Sequence, residues 1–224
     1  MGRALKLGEF IAALEKFFND IMGTLIPGFI LLIGLANLGI LSFLQFPIVD
    51  LSKASSIFAI GILSYLTGHL IDQVNQRFAP SLSYKPKVNS SYTSFENWVH
   101  QYLAKQKIDH KIDASDEKVR LGQRSLRSVA MTLSADATYI SGRFRFLELL
   151  FNSTATALVI LAILTILLNI FEFIQGFPFS KSLLVRPAIF IVIAMLFYKR
   201  ASTFGERSDA ACFDCALATI IAPK

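Results

Sequence analysis

The chain has 224 residues, of which 54% are hydrophobic, and its mean hydropathy is +0.53. A soluble domain of this length rarely contains several long uncharged apolar runs, so the composition argues against a soluble protein. The net charge is +6, and the two cysteines, Cys212 and Cys215, lie close together near the C-terminal end, which excludes a disulfide scaffold.

Residues 1–22 are predicted to form an amphipathic N-terminal helix, with the helical pattern clearest over residues 5–22. Apolar residues recur at three- and four-residue spacing between Leu7 and Ile21, and polar residues such as Glu15 occupy the opposite side. This helix is expected to lie on the inner leaflet or to pack on a cytosolic module; the alternative is a gate at a cytosolic vestibule. Its acidic residues argue against a signal peptide.

Two predicted transmembrane hairpins occupy residues 23–72 and 149–199. Three of their apolar runs contain no Asp, Glu, Lys or Arg and reach the ~18 residues needed to cross about 30 Å of hydrocarbon. These three runs are Ile21–Val49, Ala54–Ile71 and Leu149–Phe171. A fourth, shorter run is Leu183–Tyr198. The last run contains Arg186, whose long side chain can reach the membrane surface from near a helix end, so this run is also predicted to span.

Small residues and one proline predict how the first hairpin packs. Pro27 removes a backbone donor within the first span and predicts a kink there, with a hinge as the alternative. The small residues expected to allow close helix approach are Gly34, Gly39, Gly61, Ser64 and Gly68.

Polar side chains form a stripe on the second span and continue beyond it. Tyr65, His69 and Asp72 recur at three- and four-residue spacing, followed by Gln73 and Gln76. Ionisable groups at membrane depth are costly and usually face a bundle interior or water. The stripe is therefore either a hydrogen-bonded packing surface or the wall of a water-filled pathway, and Tyr65, His69 and Asp72 are pore-lining candidates.

The third span carries a second stripe, which ends at the outer surface. Thr165, Asn169 and Glu172 lie at positions i, i+4 and i+7 on one helical face, and they are the remaining pore-lining candidates. Glu172 is expected either to pair with Arg186 across a short hairpin or to form an acidic ring at the outer mouth of an oligomer, where Asp50 would join it.

Residues 73–148 form the only long polar segment, and their charge sets the predicted topology. They hold 12 of the 22 Lys and Arg residues, and grouping them with the two ends of the chain puts 19 on one side of the membrane and three on the other. An excess of Lys and Arg marks the cytosolic side. We therefore predict a multi-pass membrane protein, with a cytosolic module at 73–148, a cytosolic tail at 200–224 and both termini in the cytosol.

Two helices are predicted within the module. One starts near Thr93, because Thr93 and Glu96 have the spacing of a capping box. The other starts after Ser115. Its buried side is predicted to carry Val119, Leu126, Val129 and Leu133.

Arginines of the second helix form a predicted basic ridge. Arg120, Arg124 and Arg127 recur at i, i+4 and i+7, and Arg143 and Arg145 flank the entry to the third span. The ridge is a solvated face, a site for lipid phosphate or a partner's acidic surface, or a site for an anionic nucleotide or oligonucleotide. These five arginines are the candidates for binding an anionic ligand or a partner.

Motifs that carry enzymatic chemistry, such as a phosphate-binding loop or a nucleophile elbow, are not found, so an enzyme is not expected. Cys212 and Cys215 have C-x-x-C spacing, but a zinc site would need two more ligands, such as His100 and His110. The simpler expectation is two small buried residues on a tail helix. We expect no metal and no cofactor.

Four short segments carry a resemblance to the small four-span membrane proteins of bacterial anti-phage defence operons. They are Ile26-Pro27-Gly28-Phe29, Tyr65-Leu66-Thr67-Gly68-His69, Arg143-Phe144-Arg145-Phe146-Leu147 and Tyr198-Lys199-Arg200. The resemblance implies an oligomer in the bacterial inner membrane. It also implies one of two activities: a channel that depolarises the inner membrane when a cytosolic signal changes, as in Hailong-type systems, or a membrane anchor for a cytosolic partner, as in the membrane subunit of Kiwa.

Together these features predict an all-α integral membrane protein with four transmembrane helices, an N-terminal amphipathic helix and a helical cytosolic module between spans two and three. We expect a homo-oligomer, with a tetramer favoured, that acts as a regulated channel. The alternative is a non-conducting scaffold or sensor. The expected partners are the lipid bilayer and either a cytosolic protein or an anionic nucleotide or oligonucleotide.

Overall fold

The computed structural model describes residues 2–40, 54–78, 90–105, 123–176 and 182–221, and within these ranges it contains α-helices and no strand. The helices are α1 (Gly2–Asn37), α2 (Ala54–Phe78), α3 (Ser90–Lys105), α4 (Gln123–Leu133), α5 (Ala135–Ile174) and α6 (Ser182–Ile221). The prediction of an all-α fold is confirmed for this part of the chain.

Three helices in the described ranges are long and apolar enough to cross a membrane. The spans that they offer are Phe17–Asn37 in α1, Ser55–Asn75 in α2 and Ala135–Ile174 in α5. These spans support a membrane protein. The fourth predicted span, Leu183–Tyr198, lies within α6 but is not among the three, so the four-span arrangement stays a prediction.

Helix α1 joins two segments that the sequence pattern separates. The predicted amphipathic helix and the first span follow each other in one helix from Gly2 to Asn37, which continues through the buried Pro27. Gly39, just beyond the end of α1, has a φ of 73°, and its N–H donates to the Ala36 carbonyl at 3.0 Å. A Cβ at Gly39 would meet no atom of the described residues within 4 Å, so the predicted close helix approach is not observed there. The freedom of Gly39 to adopt positive φ instead serves the turn.

One compact unit, called unit 1 below, comprises Met1–Ser83 and Phe146–Ser202. Its core contains buried side chains from α1, α2, α5 and α6, among them Leu31, Ile71, Leu161 and Ala194. Gly34 of α1 lies against Leu161 of α5, and a Cβ at Gly34 would overlap that side chain. The prediction that Gly34 allows close helix approach is therefore confirmed.

Helices α1 and α2 cross with their backbones in contact. A Cβ at Gly28 would overlap the Ser64 carbonyl, and a Cβ at Gly68 would overlap the Thr24 carbonyl. Ser64 and Gly68 are both buried, as the small-residue spacing predicts. Gly61 was predicted to share this surface, but a Cβ there would meet none of the described atoms within 4 Å. The contact is therefore made by the part of α2 that contains Ser64 and Gly68.

A second compact unit, unit 2, comprises Tyr84–Arg145 and Thr203–Lys224. Its core packs α3 and α4 against the end of α6, with Phe95, Val99, Leu126, Cys212 and Phe213 all buried. The segment predicted as a separate cytosolic tail thus supplies part of the core of the predicted module.

The helices of unit 2 correct two details of the sequence reading. Helix α3 begins at Ser90 rather than near Thr93, and the ring of Tyr92 in this extra turn packs edge-on against Phe213 at 5.5 Å between centroids. Val129 and Leu133 are exposed rather than buried, since α4 turns Leu126 and Ala130 inward. The predicted helix start after Ser115 and the predicted buried residue Val119 lie outside the described residues.

Helix α5 begins much earlier than the predicted third span. Ser134 separates α4 from α5, and its hydroxyl accepts a hydrogen bond from the Ala137 N–H at 3.3 Å. Asp136 lies in the first turn, where a negative charge is favourable. This capped start places Tyr139 to Arg145, which the sequence reading left between the module helix and the span, within α5.

The backbone contact between α1 and α2 predicts opposite effects of the same substitution at two glycines of α2. We expect Gly68→Ala to lower the free energy of unfolding by about 1–3 kcal/mol, because the new methyl group meets the Thr24 carbonyl, which cannot move without its helix. Gly61→Ala meets open space, so we expect no loss and a gain of up to ~1 kcal/mol from helix propensity.

Thermal unfolding of the two variants in one detergent measures this difference. The expected fall for Gly68→Ala is roughly 2–4 °C in Tm for each kcal/mol lost. An equal Tm for both variants would contradict the close backbone contact.

Candidate functional site

The predicted pore-lining residues of α2 lie partly on its exposed surface. Tyr65 and His69 are both exposed, and their rings make an edge contact at 4.5 Å between centroids. Asp72 is half-buried. Because Ser64, Gly68 and Ile71 are buried, the part of the stripe formed by Tyr65 and His69 faces away from the core of unit 1.

The predicted stripe on α5 has a different environment. Thr165 and Asn169 are buried, and the Thr165 hydroxyl donates to the Leu161 carbonyl at 2.7 Å. Glu172 is exposed. The structure therefore does not bring the two stripes to one exposed surface of a single chain.

The alternative roles of Glu172 can be partly separated. Among the residues that the structure describes, Glu172 and Arg186 make no ion pair, and both side chains are exposed. The predicted pairing is therefore not observed. An acidic ring involving Glu172 needs several copies of the chain and stays a prediction, and Asp50 lies outside the described residues.

A buried polar cluster that the sequence reading missed links three helices of unit 1. The Thr156 hydroxyl of α5 lies 3.3 Å from Asn75 Oδ1 of α2 and 3.0 Å from the Tyr198 hydroxyl of α6. It also lies 3.1 Å from the Asn152 carbonyl. Asn75 and Thr156 are at least 90% buried, so these hydrogen bonds satisfy polar groups that water does not reach.

The sequence contains part of the information that would predict this cluster. Asn75 follows Asp72 by three residues, so it continues a helical spacing, and Thr156 is polar within an apolar run. The spacing alone does not show that these side chains meet across α2 and α5, or that Tyr198 joins them.

The predicted basic ridge is not available as a whole for a ligand. Arg127 of α4 forms an ion pair with Asp209 of α6, with Nη1 at 2.6 Å from Oδ1. Arg120 lies outside the described residues, and for Arg124 only the helical backbone is described. Arg143 and Arg145 of α5 are exposed, so they are the predicted anion-binding residues that the structure places at a surface.

The ion pair is the centre of a polar network, called the Arg127 network below. Arg127 Nη2 donates to the Ser208 hydroxyl at 2.7 Å, and that hydroxyl donates to the Ser141 carbonyl at 2.9 Å. The Cys212 thiol lies 3.8 Å from the Arg127 carbonyl. The network thus joins α4, α5 and α6 within unit 2, with Ser141 and Ser208 fully buried.

Burial dominates the electrostatics of this network. It raises the pKa of the Asp209 carboxyl above 3.8, although the nearby charges of Arg127 and Arg145 act to lower it. Burial also raises the pKa values of the Cys212 and Cys215 thiols. These thiols are therefore mainly protonated at neutral pH, and a protonated thiol is a poor nucleophile.

The described residues do not form a metal centre. No group of three or more His, Cys, Asp and Glu side chains in these ranges lies close enough to hold one ion. His100 is exposed on α3, and His110, the other proposed ligand, lies outside the described residues.

Comparison with known proteins identifies no relative. No family model matches the chain, and neither a curated protein nor a solved structure matches it.

The raised pKa of Asp209 predicts how the stability of the protein changes with pH. The direction of that change shows whether burial of Asp209 or its attraction to the arginines has the larger effect. The folded protein holds the Asp209 proton more tightly than the unfolded chain, so protonation favours folding. We expect the free energy of unfolding of the wild type, minus that of Asp209→Asn, to rise as the pH falls through the folded pKa towards 3.8.

Denaturant unfolding at several pH values, followed by fluorescence, tests this expectation. Trp98 is the single tryptophan of the chain and packs against the core of unit 2, so its emission reports on that unit. If the difference in free energy fell on acidification instead, the attraction of Arg127 and Arg145 would outweigh burial.

Proposed function

We propose that the chain forms a homo-oligomeric channel in the bacterial inner membrane, which depolarises the membrane as an effector of anti-phage defence. The observation that supports this best is the exposure of Tyr65 and His69 within the candidate span Ser55–Asn75. An ionisable side chain exposed at membrane depth is costly against lipid. A second copy of the chain or a water-filled pathway would remove that cost.

The surface of α2 fits a helix at the boundary between subunits and water. Tyr65, His69 and Gln73 are exposed at i, i+4 and i+8. Leu66 and Leu70 are also exposed, and each follows a member of the polar stripe by one residue, or about 100° around the helix. A polar stripe beside an apolar stripe suits a helix that contacts a neighbouring subunit and lines a pathway at its edge.

Regulation is proposed to start in unit 2. Arg143 and Arg145 are exposed there, and guanidinium groups bind phosphate with paired hydrogen bonds. Helices α5 and α6 each contribute residues to both units, so they connect this surface covalently to the proposed membrane segments. An anionic nucleotide or oligonucleotide on these arginines is the proposed signal.

Cysteine substitution on α2 tests the proposed pathway. We expect a charged thiol reagent to reduce the current through His69→Cys in a planar bilayer by more than half, because the attached group would occupy the pathway. Leu70→Cys is the matched control on the neighbouring exposed stripe, and its current should be unchanged. Reagent-treated wild type provides the baseline for Cys212 and Cys215.

Absence of conductance in reconstituted wild-type protein, with and without nucleotide ligands, would overturn the channel proposal. An unchanged current in treated His69→Cys would leave a conducting protein but remove His69 from its pathway.

A non-conducting scaffold or sensor is the second candidate, and one surface of unit 2 favours it. The Arg143 guanidinium lies 5.6 Å from the centre of the exposed Tyr139 ring, and Ile140 beside it is also exposed. Tyrosine and arginine are enriched among residues that dominate protein–protein binding. A cytosolic partner that presents acidic and apolar side chains would fit this surface.

Affinity capture with products of neighbouring genes tests the scaffold. Deleting the module would disrupt the core that it shares with α6, so point changes are preferable. We expect Tyr139→Ala combined with Arg143→Ala to reduce recovery of a partner at least tenfold, since each substitution removes a central contact. Thr132→Ala, at an exposed site of α4, is the control, and equal recovery with both proteins would contradict this docking surface.

A further inference from the structure

Helices α1, α5 and α6 of unit 1 enclose a cleft of about 580 Å³. This volume lies within the range of roughly 300–1,000 Å³ that is common for sites that bind small molecules. Most of its wall is apolar, including Ile30 and Ile33 from α1, Leu158 from α5 and Phe190 from α6. Among the described residues, the polar members of the wall are Asn37 and Arg186.

The position of Arg186 makes this cleft more than an apolar groove. Its side chain is exposed, and among the described residues it has no acidic partner. It lies near the start of α6, and Asn37 is the last residue of α1. Arg186 and Asn37 therefore both lie at helix ends. At such a position a guanidinium reaches the membrane surface at the lowest free-energy cost.

The apolar wall extends away from these polar groups into the predicted membrane interior. Ile30 precedes Asn37 by seven residues of the same helix, which corresponds to roughly 10 Å along its axis. Phe190 follows Arg186 by one turn of α6. At the back of the cleft, Gly34 lies directly against Leu161, so the lack of a side chain at Gly34 sets how closely α1 approaches α5.

We propose that this cleft binds one acyl chain of an anionic phospholipid, with the lipid phosphate held by Arg186 and Asn37. The guanidinium offers two parallel N–H groups to phosphate oxygens, and a basic pocket between spanning helices is a suitable place for a charged head group. The apolar wall selects a ligand with a hydrocarbon chain over a soluble phosphate. The site rests on the membrane assignment of α1 and α5 and does not require that the protein conduct ions.

Native mass spectrometry of the full chain in detergent tests the site with phosphatidylglycerol and phosphatidylcholine as probes. We expect about tenfold tighter binding of phosphatidylglycerol to the wild type, because both lipids carry the phosphate but the positive choline group of phosphatidylcholine offsets its attraction to Arg186. Arg186→Gln should abolish the preference. Arg186→Lys should keep part of it, because lysine retains the charge but not the planar fork.

Two further variants separate the head group from the acyl chain. Ile33→Trp fills the apolar cleft while leaving Arg186 in place, and we expect phosphatidylglycerol binding to fall about tenfold. Arg207→Gln removes one exposed positive charge in unit 2 and should leave the preference unchanged. Thermal unfolding of each variant in detergent checks that it is folded.

Several results would overturn the proposal. Equal affinity of the wild type for the two lipids would show that the cleft does not select an anionic lipid. An unchanged preference in folded Arg186→Gln would show that Arg186 only extends to the membrane surface. Unchanged binding in folded Ile33→Trp would place the lipid elsewhere. Glycerol 3-phosphate that competes as effectively as the whole lipid would show a soluble phosphate site rather than a lipid site.

Discussion

The contact between the backbones of α1 and α2 determines how every other group on α2 is oriented. Gly28 and Gly68 leave no room for side chains where the helices meet, so this part of α2 cannot rotate away from α1. With Gly68 and Ile71 turned inward, Asn75 also lies inside and reaches the Thr156 hydroxyl. The same orientation of α2 leaves the side chains of Tyr65 and His69 exposed on the surface of unit 1. A small-residue contact thus decides which polar groups of α2 are satisfied within one chain and which are left exposed.

Unit 2 depends on a different constraint, the pairing of a buried charge across helices. Arg127 holds Asp209 and Ser208, and so links α4 to α6. A buried ion pair often adds little net stability, because desolvation offsets the attraction between the charges, and the raised pKa of Asp209 has that same cause. Loss of one partner would nevertheless leave the other charge unpaired. We therefore regard the pair as a determinant of helix register.

Local pattern was enough to predict the helices, because apolar runs and three- or four-residue spacing depend only on neighbouring residues. It could not show which face of a helix is covered. Val129 and Leu133 fit a buried stripe as well as Leu126 does, yet only Leu126 is buried. Arg127 and Asp209 are separated by 82 positions in the sequence, so no spacing rule connects them. For the same reason, the sequence did not indicate that Arg127 of the predicted ridge and Asp209 of the predicted tail belong to one network.

The placement of polar groups separates structural roles from proposed functional ones. Thr156 and Asn75 are buried and hydrogen-bonded to each other, and Thr165 is buried and bonded to its own helix, so their polarity is accounted for inside one chain. His69 and Arg186 differ, because both are exposed on the helices of unit 1. In a membrane, such groups need water, another subunit or a lipid head group. The apolar cleft beside Arg186 favours lipid there, whereas the polar stripe that continues from His69 to Gln73 favours water or another subunit.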